Sequence, residues 1–470
     1  MGILAHVDAG KTTLTERLLF DAGVIDRMGS VDSGTTQTDS MDLERQRGIT
    51  IRSAVVSFTV DDLKINLIDT PGHPDFIAEV ERSLRVLDAA VLVIPAVEGI
   101  QPQTRILMRT LQRLELPTVL FVNKIDRTGA RYGDLLDKIT QRLTAGAVTM
   151  NGVSGLGTRS VRVHAHALGD DEHRERVTAV LAEHNDSLLA SYLAGERLSG
   201  DELWRELVAQ TASAFVHPVF FGSALTGEGI DKLVDGIRTL LPTAVAPDDP
   251  RLRGMVFKIE QNGSGEKVAY VRLRSGSLRP RQRITFHRRT ADGETVAHRG
   301  KVRAVGTFER GRLVSTAQVG AGDIATVWGL REARIGDQLG IPAGGDESYF
   351  SPPTLEAVAR AATPSQQGLL FVALGAMAEQ DPLINTRVDD SHHEISVSLY
   401  GDVQKEVIGE RLRTEFGVEV VFTETQPLCI ERVTGVGEAL ELMSKDFRAT
   451  IGLRVEPAAS GVGVQFRLAV

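Results

Sequence analysis

"AHVDAGKT", residues Ala5 to Thr12, joins a short apolar run, "GILAHV", to a helical pattern over Lys11 to Phe20. The spacing is that of a phosphate loop with Ala5 in place of the first glycine. Backbone N–H groups of such a loop, with the first turn of the helix behind it, converge on anionic oxygen. Lys11 is placed to reach β- and γ-phosphates, and the Thr12 hydroxyl to sit on Mg²⁺. Ala5, His6, Val7, Asp8, Ala9, Gly10, Lys11, Thr12 and Thr13 are therefore the expected nucleotide cradle.

The surrounding pattern has the form such a loop needs. "AVVSFTV" and "KINLIDT" read as two strands joined by a tight turn at Asp61-Asp62. "AAVLVIPA" and "TVLFVNK" are continuous apolar runs, as in a buried parallel sheet, with the helical "QTRILMRTLQRL" between them. An open α/β sheet follows from this alternation, with a helical insertion over about 144–215. After the linker "LPTAVAPDDPRLRG", short alternating strands punctuated by glycine predict a β-barrel. "QQGLLFVALGAMAEQD" and "DVQKEVIGERLRTEF" then alternate with strands in a βαββαβ order, the split ferredoxin-like arrangement. The expected units are 1–243 (P-loop α/β domain), 250–345 (β-barrel), 352–426 (ferredoxin-like) and 427–470, an incomplete start of a further α+β domain. Cys429, the single cysteine, reads as a half-buried strand residue with no role.

Three further motifs name the nucleotide. "NLIDTPGH" ends a buried strand at Asp69, where a carboxylate can hold Mg²⁺, and offers the Gly72 N–H to a γ-phosphate. "NKID" provides Asn123, Lys124 and Asp126; the Asp126 carboxylate accepts from guanine N1 and N2, donors that adenine lacks. "GSAL" brings Ser223, Ala224 and Leu225, with a backbone N–H for guanine O6. GTP is the expected substrate. Hydrolysis then requires a positioned water, and His73 follows Gly72 where it can orient one. His73, Lys11 and Gly72 are the expected catalytic groups; Thr12, Thr50 and Asp69 are the expected metal ligands. Thr50 closes the polar stretch "GSVDSGTTQTDSMDLERQRGITI", whose place between the first helix and the second strand suits a segment that orders around γ-phosphate and Mg²⁺.

At "AHVDAGKTTL", "RGITI", "DTPGHPDF" and "NKIDR" the sequence resembles the translational GTPases of the elongation factor G branch. Within that branch the wording of Gly29–Ile51 is similar to the ribosomal protection proteins of tetracycline resistance. The resemblance implies a ribosome-stimulated GTPase that dislodges tetracycline from the small subunit. Two alternatives stand beside it: an elongation factor G-like translocase, and a GTP-binding relic without a productive ribosome cycle. The family carries several residues before the first strand and continues past Val470 through a fourth and a fifth domain. From this follows the expectation that the chain as given binds GTP but does not by itself rescue translation.

Bulk properties bound the rest. No run of about eighteen apolar residues is present to span a membrane, and "MGILAHVDAGK" has no signal-peptide pattern. The single cysteine cannot form an internal disulfide, which reads as a cytoplasmic protein, and a monomer is expected. A net charge of −9 argues against indiscriminate nucleic-acid binding. Between Lys267 and Arg312, however, thirteen Lys or Arg stand against three Asp or Glu, a footprint suited to ribosomal RNA.

Overall fold

The computed structural model describes the chain except for residues 30–35, 37–41, 167–169, 245–248, 262–264, 291–293, 343–348, 382–383, 390–393, 429–432, 444–448, 459–464 and 469–470. The continuous apolar runs become strands that are covered on both faces. β1 (Gly2–Ala5), β4 (Ala90–Pro95) and β5 (Thr118–Asn123) are buried along their whole length. With β2 (Ala54–Val60), β3 (Leu63–Asp69), β6 (Ala147–Thr149) and β9 (His217–Phe221) they form one sheet, ordered β2-β3-β1-β4-β5-β9-β6. β1, β3, β4, β5, β9 and β6 run parallel, while β2 pairs antiparallel with β3 through the turn at Asp61-Asp62. One apolar cluster includes Leu14, Leu18 and Leu19 of α1 (Lys11–Asp21) with Leu233 and Ile237 of α9 (Ile230–Leu240). A second includes Val80 and Leu84 of α3 (Ile77–Leu84), Leu107 and Leu111 of α4 (Pro102–Arg113), and Leu135 and Ile139 of α5 (Gly133–Arg142).

The segment read as a helical insertion does carry α6 (Asp171–Ala182), α7 (Asp186–Leu193) and α8 (Gly200–Ala212). It also supplies the edge strand β6 and a hairpin of β7 (Asn151–Ser154) with β8 (Arg162–Ala165). Strands of three and four residues are too short to show a period in the sequence.

Beyond the linker, an eight-stranded antiparallel sheet rolls around a core that includes Val256, Leu273, Phe286 and Val327. Its strands are β10 (Arg253–Gln261), β11 (Lys267–Ser275), β13 (Arg283–Arg289), β14 (Thr295–Lys301), β15 (Ala304–Glu309), β16 (Arg312–Thr316), β18 (Ile324–Trp328) and β19 (Gln338–Gly340); β12 (Ser277–Leu278) pairs separately with β17 (Val319–Gly320). The third unit runs β20 (Leu355–Ala361), α10 (Gln367–Gln380), β21 (Thr386–Asp389), β22 (Glu394–Leu399), α11 (Asp402–Phe416), β23 (Val420–Phe422). This is the βαββαβ order, with sheet order β21-β22-β20-β23. The chain continues through β24 (Gln426–Pro427), which pairs with β20, to an exposed hairpin of β25 (Gly437–Glu441) and β26 (Ile451–Val455). Cys429 lies outside the described residues.

Polar contacts tie the units together. Asp323 at the start of β18 accepts from Lys64 Nζ at 2.7 Å and from Asn66 Nδ2 at 3.0 Å, both on β3. Arg272 of β11 reaches Asp88 at 2.7 Å.

Candidate nucleotide site

The four motifs lie at the carboxyl ends of β1, β3, β5 and β9, along one edge of the sheet, where open α/β folds bind their ligands. Gly10 ends the phosphate loop at φ 87°, and a Cβ there would fall 2.4 Å from Asn123 Nδ2, so only glycine fits. Asp8 (φ 62°) and Lys124 (φ 66°) hold left-handed backbone without being glycine, a strain that clusters at ligand-binding loops.

Lys11 gathers residues from three separate segments. Its Nζ donates to Asp69 Oδ1 at 2.5 Å and lies 3.4 Å from Thr50 Oγ1 and 3.5 Å from Thr12 Oγ1. The two threonine hydroxyls are 3.2 Å apart, and all four residues are buried. This donor set suits Mg²⁺: hard oxygens, with hydroxyls close to the roughly 3 Å between neighbouring ligands of an octahedron with 2.1 Å bonds. Among the described residues no group of three or more His, Cys, Asp or Glu could hold a metal.

Gly72 packs its Cα against the phosphate loop. A Cβ would meet His6 C at 3.2 Å and Ala5 O at 3.3 Å. His73 caps the 3₁₀ turn Pro74–Phe76 through Nδ1, which accepts from Asp75 N at 3.2 Å. In the neutral ring the proton therefore resides on Nε2. The imidazole lies tilted beside Phe76, centroids 5.9 Å apart. His6, half-buried on the loop, has Nδ1 3.2 Å from Thr104 Oγ1 in the first turn of α4. Burial pushes His6 below the usual histidine range, with Lys124 adding to the effect and Glu98 and Asp8 opposing it.

At the base end, Asn123 is a clamp. Its Nδ2 donates to Ala9 O and its Oδ1 accepts from Ala224 N, both at 2.9 Å, so its side chain joins two loops. Asp126 is half-buried beside it, Lys124 reaches Glu98 at 3.3 Å, and Ser223 Oγ accepts from Thr226 N at 3.2 Å. Leu225 is 60% exposed at the rim. Arg17, which sequence reading passes over, donates from Nε to Ala224 O at 3.1 Å and from Nη2 to Leu225 O at 2.8 Å. No local signal marks this role of Arg17, because the two carbonyls are over two hundred positions away.

The segment leading to Thr50 contains a short helix, α2 (Asp42–Arg47), where the polar sequence suggests only a loop. Glu44, within it, is buried and accepts from Ile51 N at 2.9 Å and Arg52 N at 3.0 Å. Ile51 packs with Phe76 and with Val407 of α11, partly buried Leu43, Ile49 and Val403 completing the cluster.

Residues 1–243 match the family model described as Elongation factor Tu GTP binding domain. Residues 251–340 match Elongation factor G domain 2, and 350–424 match Elongation Factor G, domain III. The oxytetracycline resistance protein of Streptomyces rimosus is 54% identical over 446 residues, spanning 94% of this chain and 67% of that protein. This chain belongs to the tetracycline-resistance family of elongation-factor-type GTPases. The same family includes tetracycline resistance protein TetM of Streptomyces lividans, 45% identical over 99% of this chain and 73% of its own length. TetP of Clostridium perfringens is 39% identical over 99% of this chain and 71% of its own length. The crystal structure of a Thermus thermophilus protein superimposes with a TM-score of 0.75 at 24% identity, over 97% of this chain and 73% of that one, which shows a shared fold. As a member of the tetracycline-resistance family, the chain is a GTP-binding translational GTPase. Among the described residues no helix is long and apolar enough to cross a membrane.

Proposed function

We propose that this protein is a ribosome-stimulated GTPase that promotes release of tetracycline from the ribosome. The observation that carries the reading is the convergence of Lys11, Thr12, Thr50 and Asp69 in a chain 54% identical to an oxytetracycline resistance protein. Ala5 to Thr13 cradle the phosphates, with Lys11 as their mobile positive charge. Thr12, Thr50 and Asp69 would hold Mg²⁺, which when bound would supply charge neutralisation for the transferred phosphoryl group. The Gly72 N–H faces the γ-phosphate, and His73 orients the attacking water while its Nδ1 is anchored on Asp75 N.

Asp126 accepts from guanine N1 and N2, and residues 223–225 face O6. Asn123 contributes by tying the phosphate loop to the base loop rather than through the base alone. The protein works as a cytoplasmic monomer, with units at 1–243, 250–345, 352–426 and 427–470. The barrel and the third unit each have an apolar core of their own, which supports the division, while a further cluster joins Phe257, Tyr270 and Phe308 of the barrel to the first unit.

A translocase would share this nucleotide site, so drug release is the deciding assay. Ribosomes loaded with labelled tetracycline are mixed with GTP and a form of the protein extended to the full length of its relatives, and bound drug is followed by filtration. GTP-dependent loss of label is expected; movement of tRNA with the drug retained would replace this reading by translocation.

A further inference from the structure

We infer that Glu44 sets the preference of the protein for GTP over GDP by positioning Thr50. This rests on the nucleotide site proposed above. A carboxylate removed from water is costly unless donors compensate it. Glu44 is 0% exposed, and its Oε1 takes two successive backbone N–H groups, those of Ile51 and Arg52. Its own carbonyl accepts from Gly48 N at 2.8 Å, where φ of 66° turns the chain back on itself. One residue thus closes both ends of the segment 48–52, with Thr50 at its centre.

The geometry fixes more than a position. A trans peptide points its N–H opposite to its C=O, so the Ile51 N–H held on Glu44 sets the orientation of the Thr50–Ile51 peptide. With the backbone so held, the Thr50 hydroxyl lies 3.2 Å from Thr12 Oγ1 and 3.4 Å from Lys11 Nζ. The flanking side chains meanwhile leave in other directions: Ile51 onto Phe76 and Val407, Arg52 to Gln380 Oε1 at 3.1 Å. The bonds that make Glu44 a bracket run to the backbone of segment 48–52. The phosphates common to GDP and GTP belong instead to residues 5–13, and Thr50 serves the nucleotide that carries a γ-phosphate. Loosening the bracket therefore acts on GTP.

The test is equilibrium binding of fluorescent GDP and of a non-hydrolysable fluorescent GTP analogue to the whole chain, for wild type, Glu44→Ala and Glu44→Gln. Glu44→Ala should leave GDP affinity within about twofold and weaken the GTP analogue about tenfold or more, the scale of a lost charge-assisted hydrogen bond. Glu44→Gln keeps a neutral acceptor oxygen and should recover most of that loss, to within about threefold of wild type. Equal weakening of both nucleotides, loss of GDP binding in both variants, or no change in either would overturn the inference. A wild-type chain that binds neither nucleotide would instead overturn the reading of the site.

Discussion

At the scale of single residues, the proposed site divides into groups that would face the ligand and groups that hold those groups in place. Asp126 is proposed to be of the first kind. Asp126→Asn exchanges a carboxylate acceptor for an amide that can donate to an oxygen at C2, so preference should move from GTP to XTP. Two hydrogen bonds to a charged group, each about 1.5–3 kcal/mol, put the loss of GTP affinity at roughly a hundredfold or more, readable by competition binding. Asn123 is of the second kind, and Asn123→Ala should weaken GDP and GTP alike, because it frees Ala9 O and Ala224 N together. The motif spelling made both residues legible, but only as motif members. That Asn123 bridges loops, that Arg17 pins the base loop and that Glu44 brackets Thr50 all depend on side chains meeting across the sheet edge. No local period encodes that.

At the scale of elements, the segment ending in Thr50 and the turn after Gly72 both dock on α11. Ile51 and Phe76 pack against Val407, Asp75 Oδ2 accepts from Gln404 N at 3.1 Å, and Arg47 pairs with Glu406. The Arg47–Glu406 pair is solvent-exposed and contributes little on its own. The apolar contact is the one to test. Val407→Ala removes two buried methyl groups, about 1.5 kcal/mol, and should lower GTP hydrolysis on ribosomes while leaving GDP binding intact. Strand β9 offers a separate test through His217, buried, with Nδ1 3.3 Å from Thr118 O. Burial pushes His217 down to about 4, below its unfolded value near 6.5. A histidine depressed in the fold stabilises above the unfolded value, and that contribution is lost as pH falls from 6.5 towards 4. The loss is on the order of 3 kcal/mol, and denaturant midpoints against pH should be flatter in His217→Gln. The apolar runs made β1, β4 and β5 readable in advance, whereas β6 and α2 were not. Three residues show no period, and α2 has a single apolar residue, Leu43, whose packing is supplied by Phe76 and α11.

At the scale of the whole molecule, three units stand together, and the βαββαβ order of the third was legible because each helix and strand has its own length and period. How the units dock was not, since Lys64, Asp323, Arg272 and Asp88 are ordinary surface charges until the fold pairs them. The basic stretch between Lys267 and Arg312 lies on the barrel, where Arg281 and Arg283 are exposed. Reversing both to glutamate should weaken ribosome binding and reduce the dependence of log K on log salt by about 1.5–2, as two phosphate contacts are lost. The central claim is that Lys11, Thr12, Thr50 and Asp69 form a GTP site fired on the ribosome through His73. The direct measurement is GTP turnover with and without ribosomes, in wild type and in His73→Ala. Ribosomes should raise the wild-type rate; His73→Ala should keep nucleotide binding and lose about 10²–10⁴ of the stimulated rate. A wild-type rate that ribosomes leave flat, or a His73→Ala variant that is stimulated like wild type, would contradict it.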